Sequence, residues 1–103
     1  MSQPTPDRWV TADIALKGGE GLHARPAIKL SRMARKFASM VQMRVTGEES
    51  WVDAKSVARL MGLRADAGKV VQLRASGADA EAAVAEIGRF FEHDLGTVGE
   101  GRE

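Results

Sequence analysis

The sequence predicts an α+β fold in which one antiparallel, four-stranded sheet has its helices on a single face. Three segments alternate apolar and polar residues, which is typical of half-buried strands, and a short fourth strand is predicted after a turn. Three other segments repeat apolar residues at helical spacing. The predicted order is β-α-β-β-α-β-α. Because 103 residues is the size of one domain, we expect a single two-layer sandwich.

The first strand and the first helix are predicted on either side of a glycine-rich run. Residues 9–17 alternate, with their apolar side chains on one face. The run at 18–21 breaks this pattern. Residues 24–38 then show helical spacing, and Pro26 lies in the first turn, where its missing N–H costs nothing.

A hairpin and a short helix are predicted next. Residues 40–45 alternate and form the second strand, residues 46–50 make a turn, and Trp51 and Val52 with their flanks form the short third strand. The short helix is entered through Asp53 or Ser56 and ends near Gly62. We expect Trp51 to cover the edge of the sheet.

The last strand and the last helix complete the sheet and its helical layer. Residues 69–75 alternate as a strand, and the turn after them supplies a helix start. Spacing near 3.6 residues predicts that one face of the final helix packs inward. The inward residues are Ala80, Ala83, Val84, Ile87 and Phe91.

Composition and the absence of long apolar runs limit the classes of protein to which the chain can belong. Residues 1–7 are predicted to be a disordered leader, 8–96 the domain and 97–103 a flexible tail. The N-terminal residues do not form a secretory signal and no apolar run is long enough for a membrane span, so we expect a cytoplasmic protein. The absence of cysteine excludes disulfides, and two distant histidines argue against a zinc site.

His23 stands directly before the first predicted helix, where an anion can be held. First-turn N–H groups have no intrahelical partner, and the helix dipole is positive there. Arg25 adds a guanidinium that can bind two oxygens at once. A neutral imidazole is a nucleophile that titrates near neutral pH. This pattern favours a histidine that accepts a phosphoryl group, and the alternative is a histidine that only borders a helix.

The segment GLHARPA, residues 21–27, resembles the active-site signature of the HPr family, the histidine-containing phosphocarriers of the bacterial sugar phosphotransferase system. VDAKSV at 52–57 is similar to the family's second motif, around a serine that begins a short helix. ASGADAEAAV at 75–84 is similar to its entry into the last helix. The resemblance covers roughly residues 8–96, and the predicted element order matches the family's open-faced sandwich.

The resemblance implies a role for each residue of the first motif. His23 would carry the phosphoryl group on Nδ1, Arg25 would neutralise it, and the backbone N–H groups of Ala24 and Arg25 would hold its oxygens. Enzyme I, charged from phosphoenolpyruvate, would be the donor, and an enzyme IIA-type protein for sugar uptake or regulation the acceptor. The chain would be a carrier with a phosphohistidine intermediate and not a stand-alone catalyst, with no cofactor and no metal.

The second motif implies regulation and partner contacts. Ser56 corresponds to the serine that an ATP-dependent HPr kinase phosphorylates in many bacteria, and the alternative is that Ser56 is only an N-cap. Arg59 stands where the family usually has glycine, which makes the expected contact patch smaller and more basic. The residues expected to contact partners are Lys29, Val57, Leu60 and Met61.

Basic residues are predicted to share one face of the first helix. Arg25, Lys29, Arg32 and Lys36 follow one another at steps of four, three and four. This face is either solvated or steers an acidic protein. Nucleic acid is not expected as a partner, because aromatic residues are few and not interleaved with basic ones along the chain. We expect a monomer that presents one face to several partners.

Other functions remain as alternatives. The same carrier chemistry would serve a nitrogen-related relay or the phosphorylation of dihydroxyacetone. A phosphohistidine enzyme such as a phosphatase or mutase needs a general acid near His23, and only Glu20 is close in sequence. An interaction module with a silent histidine is the last alternative, and the intact Arg25 and Pro26 argue against it.

Overall fold

A computed structural model describes residues 8–16, 22, 24–66 and 68–94 of the chain. The predicted element order is confirmed in this part of the chain. The strands are β1 (Val10–Ala15), β2 (Met40–Val45), β3 (Val52–Asp53) and β4 (Val70–Ser76). The helices are α1 (Ala24–Arg35), α2 (Val57–Met61) and α3 (Ala80–Asp94).

The sheet is four-stranded and antiparallel, with the order β1-β4-β2-β3. The central strand β4 pairs with β1 from Val10↔Ala75 onward, and with β2 from Met40↔Ser76 onward. The short β3 pairs with β2 only. Because successive side chains point to opposite faces, this register gives the sheet one apolar and one polar face.

The helices cover the apolar face of the sheet. Every α3 residue predicted to face inward is buried, and Phe90 is buried as well. The ring of Phe91 is fully buried and meets Phe90 edge to face, with centroids 5.6 Å apart. Burying a side chain of this size stabilises the fold by about 1.5–3 kcal/mol. The α+β open-faced sandwich predicted from the sequence is confirmed.

Helix α1 ends at Arg35, before the predicted end at Ala38. The backbone N–H groups of Ala38 and Ser39 donate to the two carboxylate oxygens of Asp79, each at 2.9 Å. The hydroxyl of Ser39 also donates to Asp79 and accepts from its backbone N–H. These bonds satisfy donors that another helical turn would have used, so they fix the end of α1 against the entry to α3.

We expect the Asp79→Asn variant to lose part of the acid sensitivity of the fold. The Ser39 hydroxyl, and then the backbone N–H of Ala38, hold the pKa of Asp79 below its usual range. A carboxyl whose pKa is lowered on folding stabilises the fold above its unfolded pKa of about 4, and this stability is lost as the pH falls through the folded pKa. Urea unfolding of both proteins between pH 7 and pH 2 measures the difference. An unchanged pH profile in the variant would contradict this account.

The described part of the chain contains no helix that is both long and apolar enough to span a membrane.

Candidate functional site

The residues around the predicted phosphorylation site belong to the start of α1. His23 itself lies outside the described residues. Leu22 is buried, and its backbone N–H donates to the carbonyl of Ala65 at 2.8 Å. Ala24 begins α1 and is exposed. The chain is therefore held on both sides of position 23, by the core on one side and by a helix on the other.

The first turn of α1 combines exposed and buried positions. Ala24 and Arg25 are exposed, whereas Pro26 and Ala27 are buried against the core. Proline has no N–H to leave unsatisfied, so it fits this turn. No acidic residue lies in the turn. The exposed guanidinium of Arg25 and the positive end of the helix dipole therefore lie together at the surface that follows His23.

Ser56 is the N-cap of α2. Its φ of −114° and ψ of 116° are extended, and its Oγ accepts from the backbone N–H of Arg59 at 3.2 Å. Of the two helix entries predicted, Ser56 is therefore confirmed. Asp53 instead accepts from the N–H of Lys55 at 2.9 Å, in the turn before the helix. The helix ends at Met61 and Gly62 is its C-cap, which agrees with the end predicted near Gly62.

Hydrogen bonds from side chains to carbonyls connect α1 to the turn that precedes α2. Arg35 Nε donates to the carbonyl of Lys55 at 3.1 Å, and Lys55 Nζ donates to the carbonyl of Phe37 at 2.8 Å. The two long side chains thus fix the position of Ser56 relative to α1. The sequence did not indicate this connection, because it joins residues that are distant along the chain and have no shared pattern.

The predicted contact residues divide between surface and core. Leu60 is fully buried, so the prediction that it contacts partners is wrong. Leu60 is the buried residue of the short helix α2, and its side chain faces the core. Met61 is 42% exposed and Val57 is half-buried.

Ile28 on α1 is a further exposed apolar residue that the sequence did not predict. Its side chain is 41% exposed, because it lies out of phase with the buried Ala27 and Leu30. Ile28 and Met61 are thus the exposed large apolar side chains of α1 and α2.

The predicted basic stripe divides between exposed residues of α1 and an ion pair with α3. Arg25, Lys29 and Arg32 are exposed on α1. Lys36 lies beyond the end of the helix, and its Nζ is 2.9 Å from the Glu86 carboxylate of α3. Lys36 therefore connects the segment after α1 to α3. The positive charge near the start of α1 comes from Arg25, Lys29 and Arg32.

Similar proteins include carriers and larger phosphotransfer proteins. The chain is 42% identical to phosphocarrier protein HPr of Cupriavidus necator over 64 residues, which are 62% of this chain and 70% of that protein. It is 35% identical to a multiphosphoryl transfer protein of Vibrio cholerae over 95 residues, 91% of this chain. The chain spans about a quarter of the length of that protein (24%).

A solved structure shares the fold. The crystal structure of HPr-C-His from Thermoanaerobacter tengcongensis matches with a TM-score of 0.76 and 33% identity, over 90% of this chain and 99% of that chain. An HPr dimer from the same organism is also similar, with a TM-score of 0.65 and 36% identity over 81% of this chain and 93% of that chain.

Relatives from other phosphorelays are similar as well. Phosphocarrier protein NPr of Proteus mirabilis is 35% identical over 77% of this chain and 87% of that protein. The phosphoryl donor subunit DhaM of a PEP-dependent dihydroxyacetone kinase from Providencia stuartii is 31% identical over 87% of this chain and 18% of that protein. Similarity therefore does not assign the chain to one pathway.

A family model described as the PTS HPr component phosphorylation site matches residues 10–93. The match contains His23, helices α1 and α2 and every strand of the sheet. The chain belongs to the HPr family of phosphotransferase-system phosphocarriers.

Proposed function

We propose that the protein accepts a phosphoryl group from enzyme I on His23 and passes it to an enzyme IIA-type protein that serves sugar uptake or regulation. The observation that carries this proposal is the exposure of Ala24 and Arg25, the first two residues of α1, which directly follow His23. An exposed site suits a carrier, because its phosphoryl group has to meet a donor and an acceptor in turn.

The proposed transfer exchanges one N–P bond for another. Nδ1 of His23 attacks the phosphorus of the donor's phosphohistidine, the new N–P bond forms, and the bond to the donor's imidazole breaks. The guanidinium of Arg25 and the N–H groups of Ala24 and Arg25 stabilise the charge on the phosphoryl oxygens. In the second transfer His23 is the donor, and the bond between Nδ1 and phosphorus breaks as the acceptor takes the phosphoryl group. The unphosphorylated chain is then regenerated, so the chain is a carrier and consumes no substrate of its own.

Partner recognition follows from the surface around the first turn. Arg25 and Arg32 give this surface positive charge, and Ile28 and Met61 give it exposed apolar area. An acidic partner surface with an apolar centre is complementary to it. Arg59, exposed on α2, extends the positive charge and restricts the set of acceptors to acidic ones.

The test is incubation of the chain with phosphoenolpyruvate and enzyme I, followed by intact mass. We expect one added phosphate that is labile in acid and stable in alkali, as an N–P bond on histidine requires. His93→Ala is the matched control, since it removes the other histidine and should leave uptake unchanged. No added phosphate with a competent cognate enzyme I would contradict the proposal.

A nitrogen-related or dihydroxyacetone relay is the second candidate, favoured by the similarity to NPr and to the DhaM subunit. The chemistry on His23 is the same in each circuit, so the acceptor separates them. Adding purified acceptors of each type to the phosphorylated chain, and following which one takes the phosphate first, distinguishes the three circuits.

We also propose that Ser56 is a site of regulatory phosphorylation. Its hydroxyl is half-buried at the start of α2, bonded to the N–H of Arg59. A phosphate there would place a dianion beside the partner surface, and it would repel an acidic partner. An ATP-dependent HPr kinase should add one acid-stable phosphate, and Ser56→Ala should remove it.

A further inference from the structure

The face of the sheet that the helices leave open carries a stack of alternating tryptophan and arginine side chains. The guanidinium carbon of Arg74 lies 3.9 Å from the ring centroid of Trp9 and 3.9 Å from that of Trp51. The guanidinium carbon of Arg44 lies 4.4 Å from the ring centroid of Trp51. Trp51 was predicted to cover the edge of the sheet, but it lies over the central strands β2 and β4 instead.

Both guanidinium groups are held in place and keep unused donors. Arg44 Nε donates to Gln72 at 2.7 Å, and Arg74 Nε donates to Gln42 at 2.8 Å. A guanidinium has five N–H donors, so most of them remain for a ligand. Within the described ranges, neither arginine forms an ion pair with a carboxylate. The open face therefore presents two oriented cations that form no ion pair within the described ranges.

The proximity of the two arginines is electrostatically unfavourable without an anion. Burial, and then the charge of Arg44, lower the pKa of Arg74. In the register Arg44 lies opposite Gln72, so Arg44 and Arg74 are diagonal neighbours, with a typical separation of about 7–8 Å. Carboxylates two residues apart on an extended polypeptide are separated by about 7 Å. Both guanidinium carbons lie over Trp51, at 4.4 Å and 3.9 Å from its ring centroid, so they are close enough together for two such carboxylates to reach both.

The residues around the arginines favour a polypeptide over a longer polyanion. Positive charge is confined to the two central strands, because Asp13 lies opposite Gln72 on β1 and Asp53 lies opposite Gln42 on β3. A phosphodiester chain that crosses the strands would be repelled by these carboxylates. Exposed Met40 and Val70 lie on the same face, at its two ends. Their apolar surface suits the side chains that flank acidic residues in a peptide.

We propose that the open face of the sheet is a docking surface for an acidic polypeptide segment, with Arg44 and Arg74 each binding one of its carboxylates. The segment would run along the two central strands. This surface lies on the opposite side of the sheet from α1 and α2, so a protein bound here leaves the start of α1 accessible. The proposal adds a second contact surface to the carrier and does not depend on the phosphorylation of His23.

Intrinsic fluorescence tests the proposal, because the only two tryptophans of the chain both belong to the stack. The probe is a synthetic peptide with two glutamates separated by one valine, and the control peptide has glutamine in place of each glutamate. We expect a saturable fluorescence change with the glutamate peptide alone. Arg44→Gln or Arg74→Gln should weaken it about tenfold or more, as the loss of one charge-assisted bond implies.

Controls separate this surface from general charge and from folding. Arg32→Gln removes a positive charge from α1 and should leave peptide binding unchanged. Arg74→Lys keeps the positive charge and replaces Arg74→Gln in the test if Arg74→Gln destabilises the sheet. Arg74→Lys should still weaken peptide binding, because lysine lacks the planar guanidinium that binds two oxygens at once. Uptake of phosphate from enzyme I should be unchanged in the Arg44 and Arg74 variants. No response to the peptide, an equal response in Arg74→Lys, or a response to oligothymidylate alone would overturn the proposal.

Discussion

The His23→Ala variant is expected to take up no phosphate from enzyme I. Alanine has no nitrogen to form the N–P bond, and no other described residue of the first turn of α1 can replace it as nucleophile. The fold should be unaffected, since the anchoring contacts belong to Leu22 and to the helix that starts at Ala24. Intact mass after incubation with phosphoenolpyruvate and enzyme I measures the loss. A variant that still gains a phosphate labile in acid would contradict the account.

The Arg25→Ala variant is expected to take up phosphate more slowly, but not to lose uptake. The nucleophile remains, but the guanidinium that stabilises the phosphoryl oxygens is lost. A charge-assisted hydrogen bond is worth about 1.5–3 kcal/mol, so the transfer rate should fall by about 10- to 100-fold while the final extent stays the same. Rapid-quench kinetics separate rate from extent. Arg89→Ala, which removes an exposed arginine of α3 outside the partner surface, should be much closer to the unaltered protein.

The Gly77→Ala variant is expected to be the most destabilising substitution among the glycines that the structure describes. Gly77 has a φ of 142°, which side-chain-bearing residues rarely adopt. An added Cβ would lie 2.6 Å from Oγ and 2.9 Å from Cα of Ser39. Backbone strain and steric overlap each cost about 1–3 kcal/mol, so the free energy of unfolding should fall by about 2–5 kcal/mol. Relief of the overlap would also displace Ser39 from Asp79.

Two other glycines separate the causes of that effect. Gly47 has a φ of 98°, but a Cβ added there would meet open space, so Gly47→Ala should show the cost of strain without the overlap. Gly88 lies within α3 with nothing nearby, and Gly88→Ala should stabilise by up to about 1 kcal/mol through helix propensity. Urea unfolding should therefore rank the variants Gly88→Ala, Gly47→Ala, Gly77→Ala in decreasing stability. Equal stability of Gly77→Ala and Gly47→Ala would exclude the contact with Ser39 as a cause.

Periodicity alone predicted most of the fold, because the buried faces follow the strand and helix repeats. The inward residues of α3, the alternation in β4 and the cap at Ser56 are all local features of sequence. The prediction of His23 and Arg25 as site residues likewise rests on a motif of neighbouring residues.

The remaining features depend on contacts between distant parts of the chain. The end of α1 is set by Asp79, which lies some 40 residues further on. The stack on the open face brings Trp9, Trp51 and Arg74 together from three separate segments. Aromatic and basic residues are not interleaved along the chain, yet they alternate in space. Leu60 was predicted to contact partners because the family motif indicates which helix is involved. The motif does not indicate which side of that helix is buried, and Leu60 lies on the buried side.

The site of phosphate attachment tests the central claim most directly. Trypsin releases residues 18–29 as one peptide, because the bond between Arg25 and Pro26 resists cleavage, and this peptide contains His23 but no serine, threonine or tyrosine. After incubation with phosphoenolpyruvate and enzyme I, and digestion in mild alkali, we expect the phosphate on this peptide alone. Phosphate on residues 56–59, which contain Ser56, or on residues 90–102, which contain His93, would contradict the account, as would phosphate on no peptide at all.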